Sequence, residues 1–161
     1  MEFHVRRKDK EITDIGTLNK ILNSAKFMTI ALSKNDQPYL VSLSYGYDEN
    51  RQCIYFHCAR EGRKLEYIKA NDVTSGQVML DYGYSQGECT HLYASVHFRG
   101  RISLISDLDE KRRAFECMIR QLDDKPEDLI SQIKPDKLTN TVVGRIDITH
   151  ITGKKSKEIS L

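Results

Sequence analysis

The sequence predicts a mainly β fold, an antiparallel β-barrel of six strands with peripheral helices. Two observations carry this expectation. Strand-like runs follow one another directly between residues 26 and 58 and again between 73 and 105, whereas a doubly wound parallel sheet needs a helix between successive strands. The helical spacings that do occur sit beside these runs, where they can only flank a barrel. With 161 residues the chain has the length of one domain, expected to span 1–161.

Thr13 and Asp14 stand before Ile15, Leu18, Ile21 and Leu22, cap candidates ahead of an apolar helical spacing. They predict a first helix over about 14–25. Lys26 to Ser33 reads as a strand closed by the turn signal Asn35-Asp36. From Pro38 to Tyr47 the sequence alternates: Tyr39, Val41, Leu43, Tyr45 and Tyr47 share one face, Leu40, Ser42, Ser44 and Gly46 the other. The second face is mostly small, so a flat ligand could approach the backbone there. Asp48-Glu49-Asn50 makes a turn, and Cys53 to Cys58 returns as a strand. Arg63 to Ala70 follows as a helix with Leu65, Tyr67 and Ile68 on its apolar side, stopped by Asn71-Asp72. Val73 to Tyr84 and Thr90 to Ile105 are two longer strands. Asp107 and Glu110 resemble a capping box for a helix carrying Leu108, Phe115, Met118 and Leu122. Pro126 opens a shorter helix, and Thr141 to Ile151 closes the barrel as its sixth strand.

Composition removes several functions. Twenty-five basic and 23 acidic residues leave a net charge of +2, far from the concentrated basic face that nucleic acid demands. Two basic clusters, Arg6-Arg7-Lys8 and Lys154-Lys155-Ser156-Lys157, are expected to be solvated tails. Apolar runs are a handful of residues long, against roughly 20 for a bilayer span, and the charged opening Met1 to Lys10 lacks an apolar core. A cytoplasmic protein without a membrane partner is expected. Cys53, Cys58, Cys89 and Cys117 form no CxxC pair and are expected as reduced thiols. Cys89, His91 and His97 share strand parity, but the two histidines would stand about 20 Å apart in a straight strand. They are expected not to share a metal, although either alone could serve as an axial haem ligand. Neither GxGxxG, GxxxxGK[ST] nor GxSxG occurs.

The segment with most chemistry is Tyr55-Phe-His-Cys-Ala-Arg-Glu-Gly-Arg-Lys64. Arg60, Arg63 and Lys64 surround a predicted helix start, where cations oppose the positive end of the helix dipole unless an anion joins them. Free N–H groups, a glycine and two or three cations suit a phosphate. The same charges could also be a solvated surface, with Glu61 neutralising one of them.

The run Ile54 to Lys64 resembles the phosphate segment of the pyridoxamine-phosphate-oxidase-like FMN-binding split barrels, and Pro38 to Tyr47 resembles the strand that lies along their isoalloxazine. The similarity extends to the branch containing nitroimidazole-resistance proteins through Arg6 to Ile12, Tyr93-Ala94-Ser95-Val96 ending in Gly100, and Thr141 to Lys154. The resemblance implies a six-stranded FMN-binding split barrel acting as a homodimer, with the flavin at the subunit interface and a small organic acceptor as substrate. It implies that the backbone and small side chains of Val41, Ser42 and Leu43 face the flavin ring and that His57 and Cys58 touch the ribityl-phosphate arm. It further implies that Arg63 and Lys64 grip the phosphate and that Ser95 reaches the flavin, often from the partner. His57 becomes the candidate proton donor, since an imidazole pKa of about 6.5 suits that task. The chain has no tryptophan and lacks the C-terminal arginine-rich signature of the true oxidases, which speaks against pyridoxamine phosphate as substrate. Haem and the deazaflavin F420 are the other ligands that related barrels suggest.

Overall fold

The computed structural model describes residues 4–161; Met1, Glu2 and Phe3, at the head of the charged opening, lie outside them. Eight strands form one sheet: β1 (Glu11–Ile12), β2 (Phe27–Lys34), β3 (Gln37–Ser44), β4 (Gly46–Asp48), β5 (Cys53–Cys58), β6 (Val73–Ser85), β7 (Thr90–Ile105) and β8 (Val142–Lys155). Five α-helices accompany them: α1 (Ile15–Ser24), α2 (Arg63–Ala70), α3 (Leu108–Leu122), α4 (Pro126–Ile130) and α5 (Pro135–Asn140). The strand order is β3-β2-β6-β7-β8-β5-β4, with β1 beside β8 and every pairing antiparallel. Among these described residues no helix is long and apolar enough to cross a membrane.

The mainly β expectation holds, while its strand count rises from six to eight. One addition is β1, two residues paired with β8, too short to leave an alternating pattern. The other arises because the run 38–47 breaks at Tyr45. Strand β3 pairs with β2, whereas β4 changes partner and pairs with β5. Thus β3 and β4 stand at opposite ends of the strand order but are joined through a single residue. A sheet whose two edges are one residue apart must curl into a barrel, closed at Tyr45 and split beyond it. Burial enforces the corner: Tyr45 is fully buried and its hydroxyl donates to the Leu22 carbonyl.

Strand β5 is covered on both sides. Ile54 and Phe56 enter the barrel core with Leu22, Met28, Ile30 and Val96, while Cys53 and Tyr55 pack beneath Phe115 and Met118 of α3. Helix α3 starts as expected, the Asp107 carboxylate accepting the Glu110 N–H at 2.8 Å. The reciprocal half of the capping box is absent, because Glu110 instead accepts from Arg145 at 2.9 Å. The expected basic tail at 154–157 also proves structured: Lys154 and Lys155 end β8, and the buried Ser156 hydroxyl accepts the Tyr93 N–H.

Gly46 fixes how closely α3 approaches the barrel. A Cβ there would lie 2.6 Å from the Met118 backbone nitrogen, and backbone cannot rotate out of the way. Gly46→Ala is expected to cost about 1–3 kcal/mol of stability through overpacking. A denaturant midpoint unchanged from wild type would contradict this reading.

Candidate functional site

The split gives the barrel an open seam. Strand β3 pairs only with β2, so its other edge carries backbone donors and acceptors without a strand partner. Helix α2 stands across from it, with the rings of Tyr39 (β3) and Tyr67 (α2) 5.2 Å apart. At the far end of the seam, Ser44 of β3 and His57 of β5 line one cavity of about 380 Å³. The sheet's curl therefore brings residues from three sequence segments to one cleft.

The start of α2 is built for an anion. Its cap residue Gly62 has φ 127°, a conformation that side-chain-bearing residues rarely adopt, and no side chain caps the helix. The three cations expected here divide their roles. Arg60 reaches away and donates to the Thr139 carbonyl at 3.3 Å. Arg63 lies over Tyr39 and Tyr67, its guanidinium carbon 4.7 and 5.4 Å from the two ring centres. Lys64 is half-buried beside His57 and Cys58. Among the described residues no carboxylate pairs with it.

His57 stacks on Phe115, with ring centres 5.8 Å apart and planes 17° from parallel. Burial of the imidazole, then the ammonium groups of Lys137 and Lys64, hold its pKa below 6.5. For Cys58, burial pushes the thiol up while Lys64 pulls it down, and burial wins. The strand end thus offers a neutral imidazole and a neutral thiol at neutral pH.

His57, Cys58 and Lys64 share this corner, and Arg63 is held above it on its aromatic pair. The strand residues present backbone and one small side chain. Val41 and Leu43 turn their side chains to the barrel core, so backbone is what they can offer at the free edge. Ser42 points outward, its hydroxyl 2.9 Å from that of Thr29. The small-residue face is open at Leu40, Ser42 and Ser44 but closed at Gly46 by α3. The Cys53–Tyr55–His57 face does not open on a ligand as a whole, since α3 covers Cys53 and Tyr55 and leaves only His57 at the rim.

Ser95 lies elsewhere. It sits nearly buried on the outer face of β7, opposite Met79 and Lys154. Around it the outer face carries a cross-strand row, Ser42, Thr29, Gln77, His97 and Thr152, flanked by exposed Phe27, Leu40 and Met79. His91 pairs with Asp81 at 2.8 Å. Among the described residues no three His, Cys, Asp or Glu side chains converge as metal ligands. Phe115 and Lys137 were not foreseen in the sequence as part of the site. Helix α5, which carries Lys137, has one buried residue in six and hence no apolar spacing to announce it.

Comparison with known proteins follows this geometry. The family model described as pyridoxamine 5′-phosphate oxidase matches residues 14–155. No curated protein matches the chain significantly. Among solved structures, a candidate 5-nitroimidazole antibiotic resistance protein from Bacteroides thetaiotaomicron superposes with a TM-score of 0.77 at 21% identity, covering 95% of both chains. The flavocytochrome Anf3 from Azotobacter vinelandii gives 0.80 at 20% identity over 98% of this chain and 75% of its own. A FAD and haem binding protein from Mycobacterium smegmatis gives 0.75 at 17%, over 92% and 74%. At these identities the likeness shows a shared fold.

Proposed function

The chain belongs to the pyridoxamine 5′-phosphate oxidase family, and on that premise we propose that it binds FMN along the seam between β3 and α2 and reduces a small organic acceptor. One observation carries the proposal: a half-buried lysine, without an ion pair among the described residues, stands at an uncapped helix start beside a neutral histidine. A phosphate completes that arrangement, because it supplies the charge Lys64 lacks and accepts from the free N–H groups of α2. The free edge of β3 is the natural partner for the polar rim of a flat ring, with Val41, Ser42 and Leu43 contributing backbone.

When bound, FMN supplies two-electron exchange with organic acceptors, the part of the chemistry no side chain here can perform. The protein's own residues supply the rest. Lys64 and Arg63 hold the phosphate, Cys58 packs beside the arm as a neutral thiol, and the Phe115 wall keeps water from one face of His57. His57 is placed to deliver a proton at the cavity mouth. Mass spectrometry of ligand released from the purified protein tests the cofactor, with FMN expected; FAD or F420 would replace the cofactor while keeping the site.

A second reading rests on two of the similar structures, a flavocytochrome and a FAD and haem binding protein. His97, on the outer face beside Lys154, is the imidazole this chain would offer to haem. A Soret band in the protein as purified would favour it.

We also propose a second copy of this chain as the partner. Phe27, Leu40, Met79 and Tyr82 are exposed apolar side chains on a barrel with no cover of its own. A second copy packed on this face would bury them. A dimer is therefore expected in solution, with a melting temperature that rises with the logarithm of free FMN. Light scattering that returned a monomer with tight FMN binding would remove the interface from the account.

A further inference from the structure

The cavity at the end of the seam says what kind of acceptor fits. Its volume is about 380 Å³, room for one aromatic ring and a substituent. Phe115, Met118, Leu122 and Ile133 make its walls apolar. Two basic groups touch one ring inside it: the His57 imidazole centre lies 5.8 Å from the Phe115 centre, and the Lys137 ammonium 5.7 Å from the same point. Among the described residues, Lys137 is the only lysine or arginine lining the cavity, and no carboxylate lies within ion-pairing distance of it. The one acidic lining residue, Asp123, is exposed at the end of α3, where it accepts the Lys125 N–H at 3.0 Å.

Resting on the flavin reading for its position, we propose that this cavity binds a small planar aromatic acid, with its ring on the apolar wall beside His57 and its carboxylate on Lys137. Lys137 is exposed, so a ligand carboxylate gains a modest ion pair that an uncharged aromatic lacks, and an aromatic cation would meet two ammonium groups, Lys137 and Lys64, around the same imidazole. Lys137 is then a specificity-determining residue. It selects the charge of the acceptor, while His57 contacts its reacting end.

The test uses the flavin-free protein, so that its outcome is independent of cofactor binding. Benzoate and benzamide, equal in shape and different in charge, are titrated against the His57 ring signal by NMR. Wild type is expected to bind benzoate at least about fivefold more tightly than benzamide, as a partly exposed ion pair allows. Lys137→Met should abolish that preference, Lys137→Arg should keep it, and FMN affinity measured at about pH 8, where His57 is neutral with or without the Lys137 charge, should be unchanged in both. Equal binding of the two probes to wild type, or a preference that survives Lys137→Met, would overturn the proposal. Wild type that binds no FMN yet keeps the benzoate preference would instead overturn the flavin reading and leave the cavity's assignment standing.

Discussion

Replacing Arg63 and Lys64 together by alanine is expected to weaken FMN binding by about two to four decades. Each charge-assisted hydrogen bond contributes roughly 1.5–3 kcal/mol, and a decade is about 1.4 kcal/mol. The structure divides this loss unequally. Lys64 already stands half-buried beside His57, whereas Arg63 must leave its seat on Tyr39 and Tyr67 to reach a phosphate. A guanidinium on an exposed aromatic face gains about 0.5–1 kcal/mol there, which offsets part of what it contributes to the ligand. Lys64→Ala should therefore cost more than Arg63→Ala, measured by quenching of flavin fluorescence. An unchanged dissociation constant in the double variant would remove the phosphate from this corner.

His57→Gln is expected to retain FMN and to lower acceptor reduction by 10²–10⁴, the range for lost general-acid help when proton transfer limits the rate. The electrostatics add a condition. In the free protein, burial and then Lys137 and Lys64 hold the His57 pKa below 6.5, so near neutrality the ring is uncharged and a weak proton donor. A phosphate on Lys64 cancels part of that field and should raise the pKa. The bound state then takes up a proton that the free state lacks, so FMN affinity should strengthen as pH falls through the interval between the two values. The phosphate's own second ionisation, at about pH 6, opposes this and persists in the glutamine variant, so the His57 share is the difference between the two pH profiles and is lost along with the rate. A variant that keeps full turnover would return His57 to a packing role against Phe115.

How much of this was legible depended on whether the signal was local. Helix α2 was predicted over the same residues it occupies, because Leu65, Tyr67 and Ile68 mark one face and Asn71-Asp72 a stop. Asp14 caps α1 as read, accepting from Thr17 N–H at 2.7 Å. The break at Tyr45 was invisible, since Tyr45 and Tyr47 continue the alternation of Tyr39 to Leu43, and only packing of Gly46 against α3 redirects the chain. The site divided along the same line. His57, Cys58, Arg63 and Lys64 are close in sequence and could be grouped by reading. That Arg60 turns to the Thr139 carbonyl, that Arg63 rests on two tyrosines, and that Lys137 arrives from a helix 80 residues away are consequences of tertiary folding. Ser95 could be singled out only through the resemblance, because nothing local in Tyr93 to Val96 marks it.

The central claim is that the His57–Lys64 corner recognises a flavin's phosphate. Titrating the flavin-free protein with FMN and with riboflavin, which differ only by that group, tests it most directly. Wild type should bind FMN about two to four decades more tightly than riboflavin. The Arg63→Ala, Lys64→Ala double variant should bind the two alike, at the riboflavin affinity of wild type. Equal affinities in wild type, or an FMN preference that persists in the double variant, would contradict the claim.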